Sequence, residues 1–515
     1  MSAAGIAMRR RLSPGAAEEY RGFVEETVPV VRASRGFEGA GDALVLERAD
    51  DLVDAVHGMR LGDPDRSAST VLAPRQRTVL WGLLAVIAAG LVVAPQVVLQ
   101  VLTALATLTY LLAMAFRVWI FRRGIGQSAM MRVSDEEARA LHDDELPVYT
   151  VLVPAYGEPE VVGELVENLA ALEYPAHKLD IKLLLESDDD PTIEAALASG
   201  AGEAVDVVLV PPMEPRTKPK ACNYGLLQAR GEITTIYDAE DVPDPLQLRR
   251  VVVAFGRLDE RYACIQARLV YHNAGQNMIT RWFTSEYGMW FSILLPGLVT
   301  LDAPIPLGGT SNHIRTHELV RSGGWDPYNV TEDADLGIRL YREGYRSAVL
   351  DSATLEEANS DTINWVKQRS RWLKGYLQTW LVHLRHPVAL WRELGTAGFV
   401  GFNLTVGGTP VLAAANPIFW ALALLWLAGH PAFVEDLFPV WTYFGATASL
   451  LIGNFCTIYM NVVGARLLGL NRLLLSCLLT PVYWVMMSMA AVKAIVQLVT
   501  NPSYWEKTAH GLDKA

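Results

Sequence analysis

The chain has 515 residues, 51% of them hydrophobic and 19% charged, with a formal net charge of −12. That length exceeds one compact core and points to at least two domains, while the acidic balance argues against nucleic acid as a partner. The four cysteines, Cys222, Cys264, Cys456 and Cys477, form no CxxC pair and read as packed thiols rather than a disulfide frame or metal site.

Residues 1–76 are charged, with acidic patches ("GAAEEY", "LERADDL") and a basic run, "MRRR", at 8–11. They predict one or two short amphipathic helices in an otherwise solvated, poorly ordered cytoplasmic segment. A regulatory or partner-binding role is the alternative. Residues 78–116 contain no Asp, Glu, Lys, Arg or His. A membrane span needs about 20 apolar residues, so a transmembrane hairpin is expected over 77–121, turning near Pro95 and Gln96. Arg75 and Arg77 precede it; Arg117, Arg122 and Arg123 follow. The positive-inside rule puts both ends in the cytoplasm. The late start of the first apolar run argues against a cleaved signal peptide.

Residues 140–390 alternate short β-rich runs with helical patterns. Strands are expected at 149–154, 181–186, 206–210, 233–237 and 263–267, and helices near 160–172, 192–199, 219–229 and 244–257. This alternation predicts an α/β domain with a mostly parallel sheet, whose ligands bind at the carboxyl ends of the strands. The stretches 396–428, 437–465 and 473–492 are again uncharged and predict three more spans. The first contains Gly407, Gly408, Pro410 and Pro417, so it reads as a broken span or as an interfacial helix plus a span. No internal repeat is seen.

Three clusters carry chemistry. "YDAEDVPDP" (237–245) leaves an expected strand end with four acids. Hard divalent cations take carboxylate oxygens, and Asp238 and Glu240 at i, i+2 can face one pocket edge; the alternative is a plain turn. Asp244, between two prolines, reads as a helix N-cap. "NVTEDADLG" (329–337) puts Thr331, Glu332 and Asp333 at a helix start. Capping by Thr331 and dipole-favoured acids explain this pattern; a carboxylate there can also act as a general base. In "WVKQRSRWLKGYLQTW" (365–380), Gln368, Arg371 and Trp372 share one helix face. An Arg fork suits phosphate and an indole suits a sugar face. Lys367, Arg369, Arg371 and Lys374 equally fit a helix lying on a membrane surface. "VPAYGEPE" (153–160) and "TKPKACN" (217–223) end a strand and begin a helix, where anions bind.

Together these stretches resemble the inverting family-2 glycosyltransferases, in particular the membrane-embedded, cellulose-synthase-like branch that makes β-linked exopolysaccharides. The resemblance runs over residues 78–512 and rests on the order "VPAYGE", "LESDDDPT", "KPKACN", "DAED", "GGTSN", "TED", "QRSRW" and then apolar spans. It implies a GT-A, Rossmann-like cytoplasmic domain at 140–360, interfacial helices with the QxxRW motif at 361–395, transmembrane helices at 396–500 and a tail at 501–515. It also implies a hexosyltransferase of the plasma (bacterial inner) membrane. The enzyme would move sugar from a nucleotide sugar, UDP-linked, to a growing glycan; a single transfer to a lipid is the alternative, and a non-catalytic receptor is a third reading.

Carried onto this chain, Asp333 would be the catalytic base. Pro154, Tyr156, Glu158, Glu186 (with Asp188 as alternative), Lys220, Asp238, Gln368, Arg369 and Arg371 would bind the donor. Gly309, Thr310, Ser311, Glu332 and Trp372 would hold the acceptor. Asp238 and Glu240 would carry Mg2+ or Mn2+, with Asp241 a neighbouring candidate because Glu240 stands where the pattern has Asp. The implied partners are donor, glycan acceptor, lipid bilayer and an accessory or regulatory protein. "YWEKTAHGL" (504–512) resembles a C-terminal segment of this branch. Its placement implies a cytoplasmic tail and hence an even number of C-terminal spans.

Overall fold

The computed structural model describes residues 12–126 and 130–508; the basic run at 8–11 and residues 509–512 of the tail lie outside the described residues. The strands are β1 (Met130–Met131), β2 (Tyr149–Ala155), β3 (Leu179–Glu186), β4 (Asp206–Val210), β5 (Ile233–Ile236), β6 (Val242–Pro243), β7 (Tyr262–Tyr271), β8 (Asn312–Arg315) and β9 (Arg346–Glu356). They form one sheet in the order β1–β9–β7–β8–β5–β2–β3–β4, with β6 on β9. The β5–β2–β3–β4 half is parallel, and β8 inserts antiparallel to both β5 and β7. This is the mixed, GT-A-like α/β sheet. Its central strands are covered on both faces, which explains the unbroken apolar run of β2. Strand order reverses around β2, so the turns after β2 and β5 open a crevice at the carboxyl edge.

Residues 12–75 are not a loose tail. Helices Pro14–Ala33 and Asp42–Gly62 pack on the domain, and Val45, Ala49, Leu52, Val53 and Val56 are fully buried. The high charge of this segment hides that 4-3-4 apolar stripe. Asn223 ties the stripe to the site: its Nδ2 donates to Ala55 O (3.0 Å) and Trp325 O (2.8 Å), and its Oδ1 accepts from Trp325 N (3.0 Å).

Among the described residues five helices are long and apolar enough to cross a membrane: Pro74–Val93, Pro95–Gly124, Pro387–Gly429, Val440–Leu467 and Thr480–Thr500. The first two make a hairpin turned at Ala94. The third is broken at Gly395, whose φ of 65° is left-handed. Before the break, Leu390 and Leu394 pack on Ile338 and Tyr341 of the domain; after it the helix carries no charged residue. The broken run is thus a domain-bound helix followed by a span-length helix.

Helix Thr480–Thr500 has the length and apolarity of the expected third C-terminal span, but its packing partner is a charged helix. It runs side by side with helix Thr362–His383, in the same direction. Tyr483 meets Trp365 (ring centroids 5.0 Å apart) and Arg369, and Ala490, Ala491 and Ala494 share a buried cluster with Leu373. Past its end, Asn501 O and Tyr504 O accept from Lys374 Nζ at 3.4 and 2.7 Å. The partner helix carries Lys367, Arg369, Arg371 and Lys374, and each such charge costs about 2.5–3.5 kcal/mol at the centre of a bilayer. Two helices locked in parallel, one of them this charged, are expected to lie on the membrane face together. Single cysteines test this with a maleimide that cannot cross membranes. Ser503→Cys should label from the same side as the exposed Ser199→Cys, and Ala432→Cys from the opposite side. If Ser503→Cys and Ala432→Cys label together, the 480–500 helix crosses.

Candidate active site

A cavity of about 660 Å3 begins at the carboxyl edge of the sheet and continues among the apolar helices. Its walls on the sheet side include Pro154, Tyr156 and Glu158 after β2, Glu186 at the end of β3, and Asp238 and Glu240 after β5. Gly309, Thr310, Glu332, Asp333, Gln368, Arg369, Arg371 and Trp372 line it from the other elements. The structure therefore brings most of the expected site residues to one space.

Three expected residues stand elsewhere. Lys220 is fully buried and forms an ion pair with Glu186 at 2.6 Å, so it is that carboxylate's counter-ion and does not reach the cavity. Asp188 lies outside the cavity wall and pairs with Arg216 at 2.6 Å. Ser311 is fully buried with φ of 53°, and its hydroxyl shares a hydrogen bond with Thr354 (2.6 Å) behind the sheet edge. A fourth, Arg369, lines the cavity but has its guanidinium committed. It chelates Glu286, donates to Tyr483 OH (3.1 Å) and lies over the rings of Phe283 and Trp372. Arg369 fastens helix 362–383 to helix Met278–Met289 rather than offering a fork to phosphate.

Residues that the sequence did not assign also line the cavity. Lys218, at the first position of helix Lys218–Leu226, forms an ion pair with Asp238 and donates to Gly309 O at 2.9 Å. Arg216, Glu356 and Glu357 line the cavity as well. So do Trp505 and Lys507 of the C-terminal segment: Arg371 lies 4.3 Å over the Trp505 ring, and Lys507 Nζ donates to Gly157 O at 2.7 Å and to Tyr156 O. The K-x-K spacing of "TKPK" signalled that one lysine would face inward, but not which one. Trp505 and Lys507 belong to the "YWEKTAHGL" stretch that the sequence singled out as a tail segment, but nothing in it assigned either residue to the site.

The acids divide by surroundings. Asp241 is buried, with its carboxylate accepting from Asp238 N (2.8 Å) and from Thr310 Oγ1. Burial first, then Asp238 and Glu240, push its pKa well up. Glu356 is pushed up in the same way, by burial and then by Asp241, Asp238 and Glu240. Asp244 is not the expected cap: the cap position of helix Gln247–Gly256 is Leu246, and Asp244 accepts from Leu246 N at 2.9 Å in the turn ahead of it. Thr331 occupies the cap position of helix Glu332–Arg342, yet its buried hydroxyl has no hydrogen-bond partner. Burial pushes Glu332 up to about 8, with the neighbouring Asp333 the next cause. Burial pushes Asp333 up to about 6, opposed by Lys218 and Arg371. Both carboxyls are pushed up, so the pair holds on to a proton near neutrality. Carboxylates whose surroundings push their pKa values apart take base and acid roles.

Two features fix Asp333 against helix 362–383. Asp335, fully buried, accepts from Arg339 Nε (2.6 Å) and His383 Nε2 (2.9 Å), joining the two helices. Gly375 lets the backbones meet: a Cβ there would stand 2.3 Å from Thr331 Oγ1 and 2.7 Å from Thr331 N.

Three comparisons fit this geometry. Residues 147–375 match the family model described as "Glycosyltransferase like family 2". These residues form a glycosyltransferase family 2 domain. The chain is 28% identical over 247 residues to the probable glycosyltransferase YdaM of Bacillus subtilis, covering 45% of this chain and 56% of that protein. It is 27% identical over 313 residues to the beta-monoglucosyldiacylglycerol synthase of Synechocystis sp., covering 58% and 64%. It thus spans between half and two thirds of the length of these relatives. In fold, the glycosyltransferase domain and its flanking helices resemble the mannosyltransferase PcManGT from Pyrobaculum calidifontis, with a TM-score of 0.50 at 19% identity, over 78% of this chain and 99% of that one.

Gly375→Ala should push helix 362–383, with Gln368 and Arg371, away from Asp333. A misplacement of about 1 Å costs about 10²-fold, so turnover should fall by about that factor while thermal unfolding shifts by only a few degrees. Normal turnover in this variant would mean that the close approach does not set the site.

Proposed function

We propose that the protein is an inverting, metal-dependent hexosyltransferase. It would extend a β-linked glycan from a UDP-sugar and pass the product into the membrane-side arm of the same cavity. The observation that carries this reading is the continuity of that cavity: one space joins Asp333 to helices 95–124, 396–429 and 440–467. The arm is lined by side chains such as Asn416, Asn454 and Asn461, which suit sugar hydroxyls.

In this reading Tyr156, Glu158 and Glu186 hold the nucleoside, and Lys218 and Arg371 face the diphosphate. Asp238 and Glu240 would hold Mg2+ or Mn2+. Among the described residues no three acidic, His or Cys groups close a complete metal cage, which fits an ion that shares its shell with donor phosphates. When bound, the ion neutralises charge building on the leaving diphosphate. Asp333 takes the proton from the acceptor hydroxyl as that oxygen attacks the anomeric carbon, and the nucleoside diphosphate leaves from the opposite face. An α-linked donor so yields a β-linked product. Trp372, stacked near Tyr287 at 6.1 Å, offers the acceptor sugar an apolar platform. Arginines at both ends of the 77–121 hairpin support a cytoplasmic catalytic domain in a multi-pass protein of the inner membrane.

The second reading, one transfer to a lipid, is favoured by the name of the Synechocystis relative. Purified protein in nanodiscs, given a panel of labelled nucleotide sugars with Mg2+ or Mn2+, decides between them. A ladder of long products is expected; a single-sugar lipid product sinks the polymer reading.

Two further outcomes follow from the chemistry. Asp333→Asn should lower kcat by about 10²–10⁴-fold, and wild-type kcat/KM should fall about tenfold per pH unit below the Asp333 pKa of about 6. A flat profile from pH 5 to 8 would remove Asp333 as the base. Chelation should abolish transfer. Asp238→Asn should raise the metal concentration needed for half-activity, and Glu240→Gln will show whether Glu240 shares that duty.

A further inference from the structure

The chemistry at Asp333 uses none of the polar groups in the membrane-side arm. Thr107, Asn416, Ser449, Asn454, Thr457 and Asn461 line that arm, all on helices of span length. Four of their atoms, Thr107 Oγ1, Ser449 Oγ, Asn454 Oδ1 and Asn461 Oδ1, are buried without a hydrogen-bond partner. Inside a bilayer each such group is costly unless something supplies a partner. Acyl chains supply none, whereas sugar hydroxyls donate and accept.

Arg117 lines the same arm. It is partly buried, and among the described residues it makes no hydrogen bond or ion pair. The carboxylate whose field it feels is Glu286. That carboxylate is already occupied: Arg369 Nη1 donates to it at 3.3 Å and Tyr483 OH at 2.7 Å, and Arg369 Nη2 bonds it as well. Glu286 and Arg369 cancel, so Arg117 leaves one unneutralised positive charge at the entrance to the apolar helices. Ionisable groups at membrane depth that face a cavity rather than a protein counter-ion mark what passes through it. The guanidinium fork matches a carboxylate, two N–H groups to two oxygens.

We infer that the membrane-side arm takes an acidic glycan, one bearing uronate carboxylates, and that Arg117 pairs with them. This rests on the glycosyltransferase reading and names the class of its acceptor and product. The orphaned hydroxyl and amide groups call for a polyol, and the unpaired cation calls for an anion. A uronate-bearing glycan supplies both.

The test is a binding measurement on the full chain in detergent, read by intrinsic tryptophan fluorescence, so that it stands whether or not transfer is seen. The probes are a β-linked tetrasaccharide containing glucuronate and neutral cellotetraose. Wild type should bind the acidic probe about tenfold more tightly, the worth of one charge-assisted hydrogen-bonded pair. Arg117→Met should bring the two affinities together, and Arg117→Lys should keep part of the difference. Circular dichroism melting checks that each variant is folded. Equal affinities in wild type, or a preference that survives in Arg117→Met, would overturn the inference. So would a loss of binding to phosphatidylglycerol vesicles in Arg117→Met with the oligosaccharide preference unmoved, because the cation would then serve a lipid headgroup. Failure of the glycosyltransferase reading shows separately, as absence of UDP release from every UDP-sugar.

Discussion

Charge compensation at the carboxyl edge of the sheet is the constraint on which the site depends. Asp238, Glu240, Asp241 and Glu356 crowd one side, Glu332 and Asp333 the other, and two cations, Lys218 and Arg371, serve both groups. Asp241, Glu332, Asp333 and Glu356 are desolvated, so these four cannot all ionise without more positive charge. The protein answers partly with hydrogen bonds, as at Asp241, and partly by keeping a proton on the Glu332–Asp333 pair. The remaining deficit is what a divalent ion and a donor held by Lys218 and Arg371 would settle. The same logic explains why Lys220 is spent on Glu186 and Arg369 on Glu286. Lys220 and Arg369 each have an ion-pair partner, whereas Arg117 makes none among the described residues.

Bringing those cations in requires elements far apart in sequence. Lys218 comes from a helix braced by the N-terminal helices through Asn223. Arg371 comes from a helix held by Asp335 and His383 on one side and by Tyr483 on another. Trp505 and Lys507 then close the space between Arg371 and the turn after β2. The site is therefore a junction of five chain segments rather than a property of the sheet, and the apolar helices contribute directly to its geometry.

Much of this was legible in the sequence. The α/β sheet followed from the β-rich runs, because covered parallel strands leave an unbroken apolar signature, as in β2. Asp238, Asp333 and Arg371 could be singled out because acids at strand ends and an Arg–Trp helix face have few structural uses together. What could not be read was pairing. Nothing local distinguishes Lys218 from Lys220, or Arg369 from Arg371; the difference lies in Asp238, Glu186 and Glu286, which arrive from other segments. The packed N-terminal helices were masked by their charge, and Ser311 was misjudged because only the folded chain reveals its left-handed backbone and buried hydroxyl.

Helix 480–500 has a consequence for how the protein is made. An insertion machine judges a segment by its hydropathy as it emerges, and by that measure this segment enters the bilayer. The finished fold packs it beside helix 362–383, which has already been synthesised, with Trp365 and Leu373 waiting. Biogenesis is thus a race between docking and insertion. A chain that loses the race becomes a topological isomer, with an intact catalytic sheet and with Trp505 and Lys507 stranded across the membrane. Weakening the Trp365–Tyr483 contact would act mainly by changing how many molecules end up in that form, and little by changing the chemistry of those that fold correctly.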